Sequence, residues 1–304
     1  MRRRLIPILM VMSLLALGCQ RLTPVQTIAG LSERAPSMGS ARMLMTMSMS
    51  FSLPSASLGN AQPAQPREFS FTIEGLTDFS RKLGSMEMKM GAGNQSGITL
   101  PEIRTIYNAE FVYYEVPPNA SAAFDGKSWV RISLEKMLQG GFDLSSPTPQ
   151  PEIFFERLKG VDADDITTVG EESIRGTNTT QYRVALTWQD YMAAMAAEKR
   201  DQQISMLEAS GLELEPVDAW IDEDGFARKI LVTMGNPEGT MSATTTMELY
   251  DFGVEVEVQV PSEQEVFVAE DPSVLGALFS GGGALGSSSI EGSTPLVPDE
   301  SSGY

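Results

Sequence analysis

The chain has 304 residues with 40 acidic and 22 basic side chains, and its formal net charge is −18 at pH 7. Nucleic-acid-binding proteins cluster Lys and Arg against phosphates, so this acidic balance excludes a nucleic-acid partner from our expectations. The sequence has no histidine and a single cysteine, Cys19, which removes His-based catalysis, disulfides, and His- or Cys-ligated metal sites. We therefore expect no enzymatic activity, no metal and no cofactor.

Residues 1–18 have the organisation of an export signal. Three arginines, Arg2 to Arg4, precede an uncharged apolar run from Leu5 to Leu17. That run is shorter than the roughly 20 residues that a membrane-spanning helix needs. Because the small residue Gly18 is followed by Cys19, the segment resembles a bacterial lipoprotein signal, in which the cysteine becomes the acylated first residue. An ordinary secretion signal with an incidental cysteine is the alternative.

Two further segments have the composition of unstructured chain. Residues 19–41 are rich in Ser, Pro, Gly and Thr and show no sustained period, which predicts a flexible tether. Residues 272–304 contain runs of Gly and Ser followed by Pro and acidic residues, which predicts a disordered tail. The folded domain is therefore predicted over residues 42–271.

That domain opens with strict alternation of apolar and polar residues. Period two over this length predicts strands with one buried side. Three such strands follow one another, and a loop containing Pro and Asn separates the first two. The residues predicted to face inwards on them are Met43, Met45, Met47, Met49, Phe51, Phe69, Phe71, Ile73, Met86, Met88 and Met90.

The remaining elements are shorter. Strands are predicted at 102–107, 110–116, 127–133, 166–175, 180–187, 214–222, 226–234, 244–252 and 254–260. Helices are predicted at 133–139, 151–158 and 188–209, the last with an apolar face that includes Met192 and Met195. About eleven mostly sequential strands predict an α+β fold, in which helices cover the concave face of a strongly curved antiparallel sheet, an open half-barrel.

Four stretches carry a family resemblance: 125–131 (DGKSWVR), 170–182, 217–229 (VDAWIDEDGFARK) and 250–253 (YDFG). Through these stretches, residues 42–265 resemble the bacterial lipoproteins related to the carrier LolA, especially the LppX and LprG lipoproteins. The resemblance implies a half-barrel whose concave face holds acyl chains of lipids or lipidated glycans. It also implies attachment to the extracytoplasmic face of a bacterial envelope, with a membrane transporter as a further candidate partner. It brings no catalytic motif.

The methionines point to the same kind of ligand. Methionine is unbranched and polarisable, and it recurs on apolar surfaces that accept varied partners. A cavity lined by the inward-facing strand residues, together with Met192 and Met195, would suit flexible acyl chains. The alternative is that these residues form an ordinary packed core.

Three polar motifs have simpler structural explanations. Ser133 and Lys136 fit the S-x-x-K pattern of penicillin-recognising enzymes, but the other motifs are missing, and Ser133 is predicted to cap a helix. Residues 162–165 lack the spacing of a calcium loop and are predicted to form a solvated turn. Residues 222–224 are predicted to form an acidic hairpin turn.

The sequence therefore predicts a membrane-anchored, extracytoplasmic lipoprotein that binds lipid as a carrier, chaperone or sensor. The alternative is a structural or interaction lipoprotein of the envelope, also without enzymatic activity. A hydrolase based on Asp and Glu is a third, weaker hypothesis.

Overall fold

The computed structural model describes residues 22–52, 67–91, 102–139, 150–193 and 197–271, together with residues 274, 275 and 278. The predicted signal, Cys19, Met195 and most of the predicted tail lie outside these residues. Within the tail, Leu275 and Leu278 are buried in the core. The predicted start of disorder at residue 272 is therefore wrong for these two positions, because their apolar side chains continue the core.

Thirteen strands lie within the described residues. In chain order they are β1 (Ser40–Phe51), β2 (Arg67–Asp78), β3 (Leu83–Gly91), β4 (Ile103–Tyr107), β5 (Phe111–Glu115), β6 (Trp129–Ser133), β7 (Ile166–Ile174), β8 (Thr177–Val184), β9 (Glu213–Leu214), β10 (Val217–Asp222), β11 (Ala227–Gly235), β12 (Met241–Tyr250) and β13 (Val266–Ala269).

The strands form one sheet in the order β13-β6-β5-β4-β3-β2-β1-β12-β11-β10-β8-β7, and β9 pairs with β11. All pairings are antiparallel except that of β13 with β6, which is parallel. The sheet is curved and stays open, with β13 and β7 at its two edges. The predicted α+β fold with an open antiparallel sheet is confirmed, and the described strands number thirteen where about eleven were expected from periodicity.

The helices are short. They are α1 (Pro24–Ala29), α2 (Leu31–Arg34), α3 (Leu134–Gln139), α4 (Glu152–Arg157), α5 (Trp188–Tyr191) and α6 (Ala197–Ala209), with single 3₁₀ turns at Ala35–Met38, Ser121–Phe124 and Ala163–Asp165. Buried side chains of α1, α2, α4 and α6 join the same apolar cluster as the inward-facing strand residues. None of the helices in the described part of the chain has the length and hydropathy that a membrane span requires.

The prediction of a flexible tether up to residue 41 is wrong for residues 24–41. Thr23 and Gln26 form a capping box, in which each side chain accepts a hydrogen bond from the other residue's backbone N–H, and Pro24 occupies the first helical position. Ile28 and Leu31 are fully buried. Since isolated helices this short are marginal in water, burial of these two residues against the sheet stabilises them.

The strand predicted at 254–260 is also wrong. This segment is not part of a strand. Val256 is buried, and two carbonyl groups accept from side chains, with Ser40 Oγ donating to Val254 O and Arg81 Nη2 to Val256 O at 2.6 Å. The real strand, β13, begins at Val266 and was missed. Alternating valines record which side of an extended chain is buried, but they do not show whether its backbone pairs with another strand.

Candidate functional site

The antiparallel register aligns the predicted inward-facing residues into rows across neighbouring strands. Residues on one face of paired strands lie opposite each other and pack together. Read across β1, β2 and β3, the rows are Met43–Gly75–Met86, Met45–Ile73–Met88 and Met47–Phe71–Met90; across β1 and β2, a fourth row is Met49–Phe69. We call the first two the closed rows and the last two the open rows.

Burial falls from the closed rows to the open rows. Met43, Met45, Met86 and Met88 are 0–2% exposed and belong to the main core cluster. In the open rows Phe71 is still buried, whereas its neighbours are partly exposed and pack against that cluster. The half-buried residues are Met47, Met49, Phe69 and Met90. The inner face of the sheet therefore becomes accessible towards the end of β1.

Phe51 extends this accessible end by one further inward-facing residue. It is half-buried, and its ring stacks on that of Phe69, with centroids 5.6 Å apart and planes 5° apart. Two stacked rings and several thioethers at one end of a sheet form an apolar surface without a hydrogen-bonding group.

Small side chains continue the open rows on the other side of β1. Ala243 and Thr245 of β12 lie opposite Met49 and Met47, and on β11 they are followed by Met234 and Val232. The Met49 row thus continues through Ala243 to Met234, and the Met47 row continues through Thr245 to Val232. These four residues of β11 and β12 are at most 9% exposed, so the part of the inner face formed by β11 and β12 is packed.

Gly75 explains how the closed rows pack so tightly. A Cβ atom at this position would lie 2.2 Å from the carbonyl oxygen of Ser85 and 2.7 Å from Cγ of Met86. The missing side chain leaves the space in which Met86 lies against β2. The sequence pattern identified Met86 as inward-facing, but it did not predict that Gly75 makes room for it.

The closed rows end against helices and a buried hydroxyl pair. Phe79, in the turn after β2, packs on Phe155 of α4 with ring centroids 6.1 Å apart. The hydroxyls of Thr77 and Tyr107 form a buried hydrogen bond of 2.5 Å. Met192, at the end of α5, is 2% exposed and lies in the same core cluster. The structure therefore brings every described candidate residue except Phe51 into or against one apolar cluster.

Sequence reasoning missed a buried acid at this end. Neither carboxylate oxygen of Glu152, the first residue of α4, is exposed or hydrogen-bonded to another described residue. Burial raises the pKa of Glu152 to about 7, opposed by its own backbone N–H and by Lys82. Burial, and then the negative charge of Glu152, raise the pKa of Tyr107 well above its usual value. Nothing in the local sequence distinguishes Glu152 from an exposed acid in a first helical turn.

The polar motifs have structural roles. Ser133 caps α3 as predicted, since its hydroxyl accepts from the backbone N–H of Lys136 at 3.2 Å. Asp222 is buried and accepts from the N–H groups of Asp224 and Phe226 and from Arg228 Nε, which fixes the β10–β11 turn. In the described part of the chain, no three acidic side chains are grouped closely enough to hold a metal ion.

No protein-family model matches the chain, and no curated protein does. Among solved structures, it is similar to LprF from Mycobacterium bovis, over 79% of this chain and 97% of LprF, with 12% sequence identity and a TM-score of 0.39. At this identity and TM-score, the ligand and role of the present chain have to be argued from its own residues.

Proposed function

We propose that this chain is an envelope lipoprotein that binds the acyl chains of a lipid or lipidated glycan on the inner face of its open sheet. The observation that carries the proposal is the open rows, where three methionines and Phe69 are half-buried and β1 lies beside the small side chains of β12. The protein acts as a carrier, chaperone or sensor and catalyses no reaction.

The chemistry of the open rows suits an acyl chain better than a polar ligand. Burying a methylene group contributes about 0.8 kcal/mol, so a chain of a dozen or more carbons gains enough from such a surface without any hydrogen bond. Methionine side chains adapt to chains of different length and branching. The closed rows, in which Met43 and Met86 are fully buried, stabilise the fold at the opposite end of the same strands.

The membrane anchor in this proposal is an acylated Cys19 on the extracytoplasmic face. Mass spectrometry of the N-terminal peptide from cell-derived protein tests it directly. We expect a peptide that begins at Cys19 and carries acyl groups, and we expect Cys19→Ala to move the protein from the membrane fraction to the soluble fraction. An unmodified Cys19 would refute the proposed anchor, but it would leave the proposed ligand site unaffected.

Native mass spectrometry of the protein purified from its own envelope tests ligand binding. We expect a protein population that is heavier by the mass of one lipid and loses it in organic solvent. Repeated purification without any lipid, together with an experimental structure in which the open rows are filled by protein, would overturn the proposal.

That outcome would favour the second candidate, a structural or interaction lipoprotein with an ordinary core. Its supporting observation is that all four methionines of the closed rows are 0–2% exposed.

A further inference from the structure

A cleft lies at the opposite end of the sheet from the open rows. Its volume is about 560 Å³, and it is formed where β7 turns into β8, where β11 begins and where β12 ends. The polar and aromatic residues that line it are Arg175, Thr177, Arg228, Tyr250, Asp251 and Phe252. All six lie in three of the stretches that carry the family resemblance, 170–182, 217–229 and 250–253, and the proposed acyl-chain site uses none of them.

Two arginines in the cleft are held in the same way. The Cζ atom of Arg175 lies 4.0 Å from the ring centroid of Tyr250, and its Nε donates to Glu248 at 2.7 Å. The Cζ atom of Arg228 lies 4.2 Å from the ring centroid of Phe252, and its Nε donates to Asp222 at 2.6 Å. Stacking on a ring and pairing through Nε together fix the plane of each guanidinium.

Both arginines keep their terminal nitrogens available. Among the described residues, the recorded hydrogen bonds of Arg175 and Arg228 use Nε alone. The two Nη atoms of a guanidinium form a planar fork that matches two oxygens of a phosphate. Two such forks whose planes are already fixed lose little side-chain entropy when an oxyanion binds.

The charges around the cleft determine which kind of oxyanion it can bind. Arg175 pairs with Glu248, Arg228 with Asp222, and Arg42 with Asp251 at 3.2 Å, so three cations and three anions balance locally. This neutral region contrasts with the net charge of −18 on the chain. A doubly charged phosphate would meet nearby carboxylates, whereas a singly charged phosphate ester brings less repulsion.

The position of the cleft indicates the source of such a group. The cleft shares its end of the sheet with the N-terminal helices, because Arg34 of α2 donates through Nε to Gly225 O at 3.3 Å and Gly253 N donates to Ser40 O at 2.8 Å. Leu22, the first described residue, is three positions after Cys19, a span of at most about 10 Å. If Cys19 is the anchor, as proposed above, this end of the sheet lies beside the membrane.

We propose that this cleft binds the singly charged phosphate ester of a membrane lipid headgroup through the terminal nitrogens of Arg175 and Arg228. The assignment to a headgroup rests on the proposed anchor, whereas the phosphate-ester site depends only on the cleft. It is separate from the acyl-chain site, which lies at the far end of β1 and β2.

The test uses the full chain carrying Cys19→Ala, so that acylation cannot bring it to vesicles. Glycerol phosphodiester is titrated while the backbone amide signals of Gly176, Thr177 and residues 250–252 are followed by NMR. We expect saturable shifts at these amides and a dissociation constant raised about tenfold or more by Arg175→Gln, which corresponds to a loss of about 1.4 kcal/mol. Arg228→Gln should act similarly, but it leaves buried Asp222 unpaired, so exposed Arg175 is the decisive variant.

Arg131→Gln is the matched control. Arg131 also lies over an aromatic ring, that of Phe111 at 4.8 Å, and pairs with Glu263, but it lies outside the cleft. An absence of shifts, or an equal loss of affinity in Arg131→Gln and Arg175→Gln, would overturn the site.

Vesicles of a galactolipid, with or without phosphatidylglycerol, identify the source. We expect tighter binding where phosphatidylglycerol is present, and we expect Arg175→Gln to remove that difference. Binding of the free phosphodiester without any gain in vesicle binding from phosphatidylglycerol would overturn the headgroup assignment. Since the free phosphodiester has no acyl chain, its titration is independent of whether the open rows bind lipid.

Discussion

Met49 on β1 lies directly opposite Phe69 on β2, and both side chains remain half-buried where the inner face of the sheet becomes accessible. The same register places the fully buried Met43 opposite Gly75. One strand face therefore contains two environments, and the difference between them supports the proposal that ligand binding is confined to the open rows.

Met49→Gln should reduce lipid binding while leaving the fold intact. Glutamine keeps the length of the side chain but places an amide, without an obvious partner, on a surface proposed to contact hydrocarbon. Native mass spectrometry of purified variants measures the lipid-bound fraction. The control is Met206→Gln on α6, because Met206 is 60% exposed and should tolerate the change without loss of lipid. Equal lipid occupancy in the two variants would contradict the assigned site.

Met86→Ala should lower the free energy of unfolding by about 2–5 kcal/mol, since a fully buried side chain is removed from a tightly packed row. Met90→Ala, at a half-buried position of the same strand, should lower the free energy of unfolding by clearly less. Chemical denaturation of both variants without lipid checks the difference. If Met86→Ala proved as mild as Met90→Ala, the closed rows would line a void.

The stability of the protein should fall as the pH rises from about 4.5 to about 7 because of Glu152. Its folded-state pKa is raised to about 7 from the usual 4.5, so in this range the folded protein holds a proton that the unfolded chain has released. The stabilising neutral form is fully present below the unfolded pKa and is lost by the time the pH passes the folded pKa. The loss amounts to roughly 3 kcal/mol.

Glu152→Gln is the control for this effect. Glutamine keeps the shape and stays neutral, so the variant should lack this part of the pH dependence and be more stable than the natural chain at pH 8. Denaturation curves at several pH values measure both. Parallel pH profiles for the two proteins would show that Glu152 does not titrate as described.

Substitutions at Thr77 and Tyr107 should have strongly coupled effects on the free energy of unfolding, because the two hydroxyls form a buried hydrogen bond. Tyr107→Phe leaves the buried hydroxyl of Thr77 without its partner and should cost about 1–3 kcal/mol. Adding Thr77→Val removes that unpaired group, so the double variant should be less destabilised than the sum of the single changes. A double-mutant cycle from unfolding free energies checks this, and additive effects would contradict it.

The sequence predicted the inner face well because a strand repeats every two residues, and the methionines and phenylalanines of β1 to β3 follow that period. It misassigned residues 24–41 and 254–260 for one physical reason. Composition and alternation record burial and polarity, whereas the capping box at Thr23 and the side-chain bonds to Val254 and Val256 depend on particular atoms.

The candidate sites also contain some residues that the sequence pattern predicts and others that only the fold brings together. Met47, Met49 and Phe69 follow from periodicity, but the gradient of burial from the closed rows to the open rows depends on tertiary packing. Arg175 and Arg228 lie 53 positions apart and meet in one cleft only through the sheet order β12-β11-β10-β8. No spacing rule in a single sequence brings them together.

The most direct test of the central claim is photocrosslinking with a lipid that carries a diazirine in its acyl chain. After irradiation, mass spectrometry of the proteolysed protein locates the attached label. Acyl-chain binding on the open rows predicts crosslinks within residues 47–51 and 69–71 and on Met90, suppressed by an excess of unlabelled lipid. Crosslinks confined to other surfaces, or not reduced by the competitor, would contradict it.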